Sequence, residues 1–161
     1  MEKQHRKNLQ LLSNHLRHKV ELENFNMRVI RGVISGDGLG VLPLLTDFES
    51  FMEGECGTVG CALGSGSDVP ELAVAREDRE STDDGDEVDW VAYCRRLYGI
   101  DYNSDLWDFL FSGLWAKSEF DGPVDAANRI DLLLKYDGDF TELLEEERNN
   151  PQVRWFEWNV K

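Results

Sequence analysis

The sequence predicts a single, mainly α domain of five or six helices, with a glycine-rich irregular region and a short β element. The length of 161 residues suffices for one domain of ordinary size. Apolar residues make up 41% of the chain, and 8 Phe, 5 Trp and 4 Tyr add bulk for a core. The apolar residues of several segments recur at the three- and four-residue spacing of amphipathic helices.

The first of these segments predicts an amphipathic helix near the N-terminus, with a basic polar face. Its apolar stripe comprises Leu9, Leu12, Leu16 and Val20, widened by Leu11 and Leu22. Four glycines between Gly32 and Gly40 then predict a flexible loop or a pair of short turns. Their spacing, and the Pro43 that follows, exclude a dinucleotide-binding fingerprint, which needs G-x-G-x-x-G between a strand and a helix.

Further helices are predicted in the second half of the chain, each with its own start or stop signal. Acidic residues near the start of Val88–Tyr98 favour the positive end of that helix, and Gly99 is a stop signal. Ser104 is a candidate cap for a helix that reaches Ala116, and the Asp-Gly-Pro sequence that follows restarts a helix. Asp139 or Thr141 begins the last one. The predicted inward positions are Val91, Cys94, Leu97 or Tyr98, Leu106, Leu110, Leu114, Ala126, Ala127, Ile130, Leu133 and Leu134.

Charge is unevenly distributed along the chain. The 32 acidic and 17 basic residues give a formal net charge of −15. Residues 1–40 carry a net charge of +3, and the remainder carries −18. This balance argues against direct binding to nucleic acid, which relies on Lys and Arg. The acidic body either serves as a solubilising surface or docks on the basic surface of a protein partner.

The densest acidic run is Arg76–Asp89, which holds eight carboxylates and two arginines. It has no apolar periodicity, so residues 76–89 are predicted to form an acidic mobile loop within the domain 1–161. Its carboxylates miss the register of an EF-hand, so no metal site is predicted, although loose binding of calcium or magnesium stays open. The residues expected to contact a partner first are Asp83, Asp84, Asp86 and Glu87.

The five tryptophans suggest either core packing or binding. A stacking platform for single-stranded nucleic acid needs a positively charged groove, which this composition does not favour. Trp90, Trp107 and Trp115 fall in helical patterns and are interpreted as core residues. Trp155 and Trp158 lie in the aromatic C-terminal tail, where they either pack on the body or anchor a partner.

The segment Cys56–Gly64 is rich in small residues, which allow other parts of the chain to approach closely. We interpret Cys56 and Cys61 as buried small apolar groups, and two alternatives stay open. The spacing of the two thiols fits half of a zinc site, but no recognisable second pair of ligands completes it. Cys56 at a helix N-terminus would have a lowered pKa and could act as a nucleophile, with a histidine base. Both cysteines are therefore possible reactive thiols.

Several features bear on the compartment and on the class of protein. The N-terminus lacks a signal-peptide pattern, and no window resembles a membrane span, so we expect a cytoplasmic protein. Three cysteines, an odd number, favour reduced thiols. The motifs of serine hydrolases, zinc proteases and kinases are absent from the sequence, and no cofactor is predicted.

The arrangement resembles a group of small proteins from bacteria and their phages that share a C-G-T-x-x-C-A-x-G signature. The signature is matched at Cys56–Gly64, and the sequence departs from the group directly after it. The other matching pieces are a leucine-rich first helix at 9–16, the Phe-Asn-Met segment at 25–27, and the segments 107–112 and 126–134. This resemblance implies a phage or bacterial setting and no particular chemistry.

The acidic body and the lack of catalytic motifs predict an acidic interaction protein. It would bind and modulate or inhibit a host protein, such as a nucleic-acid-handling defence enzyme, by competing for that enzyme's basic groove. One alternative is a thiol- or metal-dependent enzyme centred on Cys56 and Cys61. Another is a structural protein that self-associates through its aromatic tail. The sequence leaves the oligomeric state open.

Overall fold

The computed structural model describes residues 1–25, 31–33, 58–82, 85–102, 104–111 and 122–149. Within these ranges the chain is mainly α, as predicted, with six α-helices and two pairs of short strands. The helices are α1 (Lys3–His18), α2 (Ala62–Gly66), α3 (Trp90–Tyr98), α4 (Asp105–Phe111), α5 (Pro123–Lys135) and α6 (Phe140–Asn149). The strands are β1 (Arg31–Val33), β2 (Thr58–Gly60), β3 (Arg79–Thr82) and β4 (Gly85–Val88).

The core is built around α1, which packs against α5, α2 and α3. Leu9, Leu12 and Leu16 recur on one face of α1 and are fully buried, as their spacing predicts. Leu22 does not continue this stripe, because α1 ends at His18 and Leu22 lies in a 3-10 turn with 61% of its surface exposed. Leu11 and Val20 are half-buried and pack against the core, so the stripe continues to Val20, just beyond the end of α1.

Polar contacts fix α1 against its neighbours. The Asn8 side chain is buried and donates a 2.7 Å hydrogen bond to the carbonyl of Leu97 at the end of α3. Ser13 and Arg17 both bond the carboxylate of Asp131 on α5. Because buried polar groups destabilise a fold unless they are hydrogen-bonded, these contacts specify how the helices meet.

Local signals set the ends of α3. The carboxylate of Asp89 accepts bonds from the amides of Val91 and Ala92, both at 2.9 Å, so it caps the helix. Gly99 ends the helix with a φ of 67°, in the left-handed region that favours glycine. The inward residues are Tyr93, Cys94, Leu97 and Tyr98. Val91, which was predicted to point inward, is only half-buried. The buried stripe of α3 starts at Tyr93 instead and follows the spacing i, i+1, i+4 and i+5.

The next three helices also begin close to where the sequence places them. The Ser104 hydroxyl accepts a 3.1 Å bond from the amide of Trp107 in α4. Proline begins α5, and the carboxylate of Asp125 bonds back to the amide of Gly122 at 3.0 Å. Asp139 caps α6 through the amides of Thr141 and Glu142.

Most of the predicted inward residues of these helices are buried. Leu110 of α4 is buried together with Trp107, Phe109 and Phe111, whereas Leu106 is half-buried and packs against the core. On α5 the stripe is buried except for Leu134, which is half-buried. The segment that contains Leu114 and Trp115 lies outside the described residues.

The described part of the small-residue segment, residues 58–64, forms β2 and the first residues of α2, and α2 is buried throughout. A Cβ atom added at Gly66 would lie only 2.8 Å from the hydroxyl of Tyr98 and 3.3 Å from Cδ1 of Leu12. The small residue therefore allows α1 and α3 to approach α2 closely. Gly32 lies in β1, which pairs antiparallel with β2, while the rest of the Gly32–Gly40 segment lies outside the described residues.

Candidate functional site

The acidic run Arg76–Asp89 forms a 3-10 turn followed by the β3–β4 hairpin. The expectation of an irregular loop is therefore wrong for the described part of this run. The strands pair antiparallel, with Glu80 opposite Glu87 and Ser81 opposite Asp86. Two residues, Asp83 and Asp84, connect the strands and lie outside the described residues. Backbone pairing can form such a hairpin without apolar alternation, provided that its base is held.

The hairpin is joined to α3 by the side chain of Asp78, which immediately precedes β3. This residue is fully buried. One of its carboxylate oxygens accepts a 2.7 Å bond from Nε of Arg96, and the other accepts bonds from Nη2 of Arg96 and from the amide of Ala75. The Ala75 bond is 2.7 Å long. The buried charge is thus paired and hydrogen-bonded, as burial of a carboxylate requires.

Arg96 adds further contacts that hold the turn before the hairpin. Its Nη2 also donates to the carbonyl of Ala73 at 3.3 Å, and its guanidinium lies 5.8 Å from the ring centre of Tyr93. The hydrogen bond with Asp78 raises the pKa of the Arg96 guanidinium. The side chain is 31% exposed, against 1% for that of Asp78, so this pair lies at the edge of the core.

The neighbouring Arg95 makes a different kind of ion pair. Its Nε lies 2.8 Å from Oδ1 of Asp101, and these side chains are 64% and 72% exposed. Exposed pairs of this kind contribute at most about 1 kcal/mol to stability. Arg95 and Arg96 therefore differ sharply in environment although they are adjacent in α3.

The end of β4, where the chain leaves the hairpin, is also held next to α3. The amide of Asp89, the cap of α3, donates a 2.7 Å bond to the carbonyl of Asp78. Asp78 and Asp89 thus both serve the fold, which removes two of the eight carboxylates of the run from the set available to a partner.

The outer part of the hairpin presents Glu80 and Glu87 on one face, which we call the carboxylate face. Directly opposed residues of an antiparallel pair share a face, with Cβ atoms about 4.5–5.5 Å apart. Glu80 is exposed and Glu87 is half-buried, and neither forms an ion pair with any described residue. Arg79, opposite Val88, falls on the other face.

Of the predicted contact residues, the structure therefore places Glu87 on this face. Asp86 lies in β4 opposite Ser81, on the other face, and its side chain is not among those described. Sequence reasoning missed Glu80, Arg96 and the internal use of Asp78. The Asp-Gly pair at 84–85 is a hairpin signal that could have revealed a turn here. A two-residue turn at 84–85 would pair Thr82 with Glu87, so the opposition of Glu80 and Glu87 follows only from the observed register.

Of the two predicted thiols, the structure describes Cys61. Cys56 lies outside the described residues, so its candidacy as a nucleophile stays a prediction. Cys61 is fully buried at the start of α2, and burial raises the pKa of its thiol to about 11. Cys94 is buried nearby in α3, and desolvation raises its pKa as well. Both therefore remain protonated at neutral pH, which disfavours attack by a thiolate.

The three histidines all lie on α1. His5 is half-buried with its ring against Gly99, His15 is half-buried, and His18 is exposed. Desolvation lowers the pKa of His15, although the nearby charge of Asp68 opposes that shift. Across the described part of the chain, no group of three His, Cys, Asp or Glu side chains could hold a metal ion.

Two of the five tryptophans, Trp90 and Trp107, lie among the described residues. Trp107 is buried and contacts Tyr102 and Phe111 edge to face, and Trp90 is half-buried against Tyr93, which agrees with their interpretation as packing residues. Trp155 and Trp158 lie outside the described residues, so their role stays a prediction. Among the helices that the structure describes, none combines the length and apolar character needed to cross a membrane.

The chain was compared with family models, with curated proteins and with solved structures, and none of the three comparisons gave a match.

Proposed function

We propose that this chain is an acidic interaction protein that binds a basic surface of a partner protein through the carboxylate face of its β3–β4 hairpin. The observation that carries the proposal is the direct opposition of Glu80 and Glu87 with no cation beside them among the described residues. Directly opposed like charges destabilise a strand pair, by about 0.2–1 kcal/mol. Among the described residues no ion pair offsets this repulsion, whereas a basic partner would relieve it.

The geometry of the face indicates the chemistry of the partner group. Two carboxylates on one face, separated by about 5 Å at their Cβ atoms, can both accept from a single guanidinium, which has five donors in a planar fork. We therefore expect an arginine of the partner to lie between Glu80 and Glu87. The net charge of −18 after residue 40 would add long-range attraction to a basic surface.

A specific form of the proposal is inhibition of a host enzyme that handles nucleic acid. Such enzymes bind phosphates through Lys and Arg, and an acidic protein could occupy the same basic groove. The resemblance to phage and bacterial proteins is consistent with this setting. In this form, nucleic acid and the chain compete for one site.

The test is affinity capture from a nuclease-treated bacterial lysate, followed by purification of the captured protein and measurement of its Kd. The test variant is Glu80→Gln with Glu87→Gln. The control is Glu142→Gln with Glu145→Gln, which removes the same charge from exposed positions on α6. We expect one stoichiometric partner and a Kd raised about tenfold in the hairpin variant, equivalent to about 1.4 kcal/mol, with little change in the control.

Salt and nucleic acid sharpen the test. The Kd should rise with salt, and less steeply for the hairpin variant, because fewer charges are screened. Double-stranded DNA should displace the chain if the inhibitory form holds. Equal binding by wild type and hairpin variant, equal losses in both variants, or no partner after nuclease treatment would each refute the proposed surface.

A further inference from the structure

We infer that the β3–β4 hairpin is preformed before any partner binds, and that Arg96 and Asp78 are the positioning residues that hold it. The inference rests on the proposed function of the carboxylate face, and it adds how that face is presented. Arg96 and Asp78 act through the backbone of the hairpin and lie outside the carboxylate face.

Hydrogen bonds concentrate at the point where the hairpin leaves α3. Asp78 accepts two bonds from Arg96 and one from the amide of Ala75, and Arg96 also binds the carbonyl of Ala73. The segment that enters β3 is thus bound to α3 through one guanidinium. A bidentate pair between a guanidinium and a carboxylate fixes direction as well as distance.

The exit from the hairpin is fixed at the same place. The amide of Asp89 donates to the carbonyl of Asp78 at 2.7 Å, while the carboxylate of Asp89 caps α3. Both ends of the hairpin are therefore anchored to a helix whose Tyr93, Cys94 and Leu97 are buried in the core. An isolated two-stranded hairpin is marginally stable in water, so these anchors decide whether this one is ordered.

Preorganisation matters because ordering a flexible segment during binding weakens the affinity. If the hairpin is fixed in advance, Glu80 and Glu87 keep their opposed spacing in the free protein. A partner then meets a rigid pair of carboxylates instead of a mobile acidic chain. Release of Asp78 from Arg96 would remove the anchor of the hairpin without altering the charges on the carboxylate face.

Hydrogen exchange of the free chain tests this inference directly. We expect the paired backbone amides of β3 and β4 in the wild type to exchange about 100-fold more slowly than in an unstructured peptide. Arg96→Met should remove most of this protection, whereas the amides of α1 and α5 should stay strongly protected because the core remains folded. Arg95→Met is the matched control, because it removes the adjacent arginine of the same helix from an exposed pair.

Partner affinity separates positioning from a purely structural role. It is measured at a temperature at which circular dichroism shows each variant to be folded. Arg96→Met should raise the Kd of the captured partner about tenfold, and the salt dependence should stay that of the wild type because the carboxylate face is intact. If Arg96→Met does not fold, Arg96→Lys supplies the test, since lysine keeps the charge but loses the bidentate bond.

Two results would overturn the inference. One is wild-type hairpin amides that exchange at the rate of an unstructured peptide. The other is full hairpin protection, or unchanged partner affinity, in a folded Arg96 variant. The exchange experiment needs no partner, so failure of the proposed function is seen separately, as a protected hairpin on a chain that binds nothing.

Discussion

Packing of apolar side chains holds α1 to α5, whereas one carboxylate and one guanidinium hold the acidic hairpin to α3. Leu9, Leu12 and Leu16 are fully buried in the core, so several apolar side chains along α1 contribute to this contact. The hairpin depends instead on Asp78 and Arg96. Because many apolar side chains contribute to the contact between α1 and α5, that contact tolerates local change. Because one charged pair holds the hairpin to α3, a single substitution can break that contact. The hairpin can then open while the core stays folded.

Shortening a buried leucine of α1 tests the apolar contact between α1 and the core, and we expect it to cause the greatest loss of stability. Leu12→Ala should lower the free energy of unfolding by about 2–5 kcal/mol, because the side chain is fully buried and leaves a cavity. Leu22→Ala is the control, since that leucine is 61% exposed and should change stability by less than about 0.5 kcal/mol. Urea unfolding measures both. Similar losses for the two variants would show that the α1 stripe does not carry the stability assigned to it.

Alkaline pH probes the core without titrating the carboxylates of the hairpin. Burial raises the pKa of Cys61 from 9.0 to about 11, so the folded state keeps a proton that the unfolded state loses. Stability is therefore retained below pH 9 and falls as the pH rises toward 11, by about 2–3 kcal/mol from this thiol. Burial of Tyr93, Tyr98 and Cys94 raises the pKa of each and acts in the same direction.

Urea unfolding at several pH values measures this dependence. Cys61→Ala should make the loss between pH 9 and 11 shallower, even if the variant is less stable at pH 7. A free energy of unfolding that stays constant from pH 9 to 11 in the wild type would contradict the burial of the thiol.

Loss of the ion pair between Arg96 and Asp78 should lower the free energy of unfolding by a somewhat smaller amount. Arg96→Met is expected to lower the free energy of unfolding by about 2 kcal/mol, less than the 3–5 kcal/mol of a fully buried pair because Arg96 is partly exposed. Arg95→Met should lower it by less than about 0.5 kcal/mol, because its pair is solvated. Urea unfolding of the two variants side by side is decisive. Equal losses would mean that the burial of Asp78 confers no special dependence on Arg96.

Asp89, the cap that joins the hairpin to α3, should contribute still less to the free energy of unfolding. Asp89→Ala removes the acceptor of the Val91 and Ala92 amides and should lower stability by about 1 kcal/mol. Asp89→Asn keeps a capping oxygen and should retain most of that stability. If the two substitutions destabilise the protein equally in thermal unfolding, the negative charge of Asp89 matters more than its hydrogen bonds.

The same contrast explains what the sequence could predict. The helices were predictable because their signals are local: Asp89, Ser104 and Asp139 cap the helices that they precede, and Gly99 ends α3. The hairpin was missed because it has no apolar alternation, and its anchor Arg96 lies 18 residues from Asp78 along the chain. A pattern within one segment cannot display that pairing.

The candidate site was predictable only in part for a related reason. The acidic run led to the prediction that Glu87 contacts a partner, but its opposition to Glu80 follows from strand register. Composition also counted Asp78 and Asp89 among the carboxylates of the surface, although hydrogen bonding commits both of them to the fold. A charge count does not distinguish a carboxylate that holds a fold from one that is available to a partner.

Glu80 and Glu87 are proposed to serve binding at the expense of stability. The most direct measurement compares the wild type with the Glu80→Gln, Glu87→Gln variant in two respects, the free energy of unfolding and the Kd for the captured partner. We expect opposite changes: the free energy of unfolding should rise by about 0.2–1 kcal/mol because the repulsion disappears, while the affinity for the partner should fall. A variant that is less stable than the wild type, or one that binds the partner equally well, would contradict this proposal.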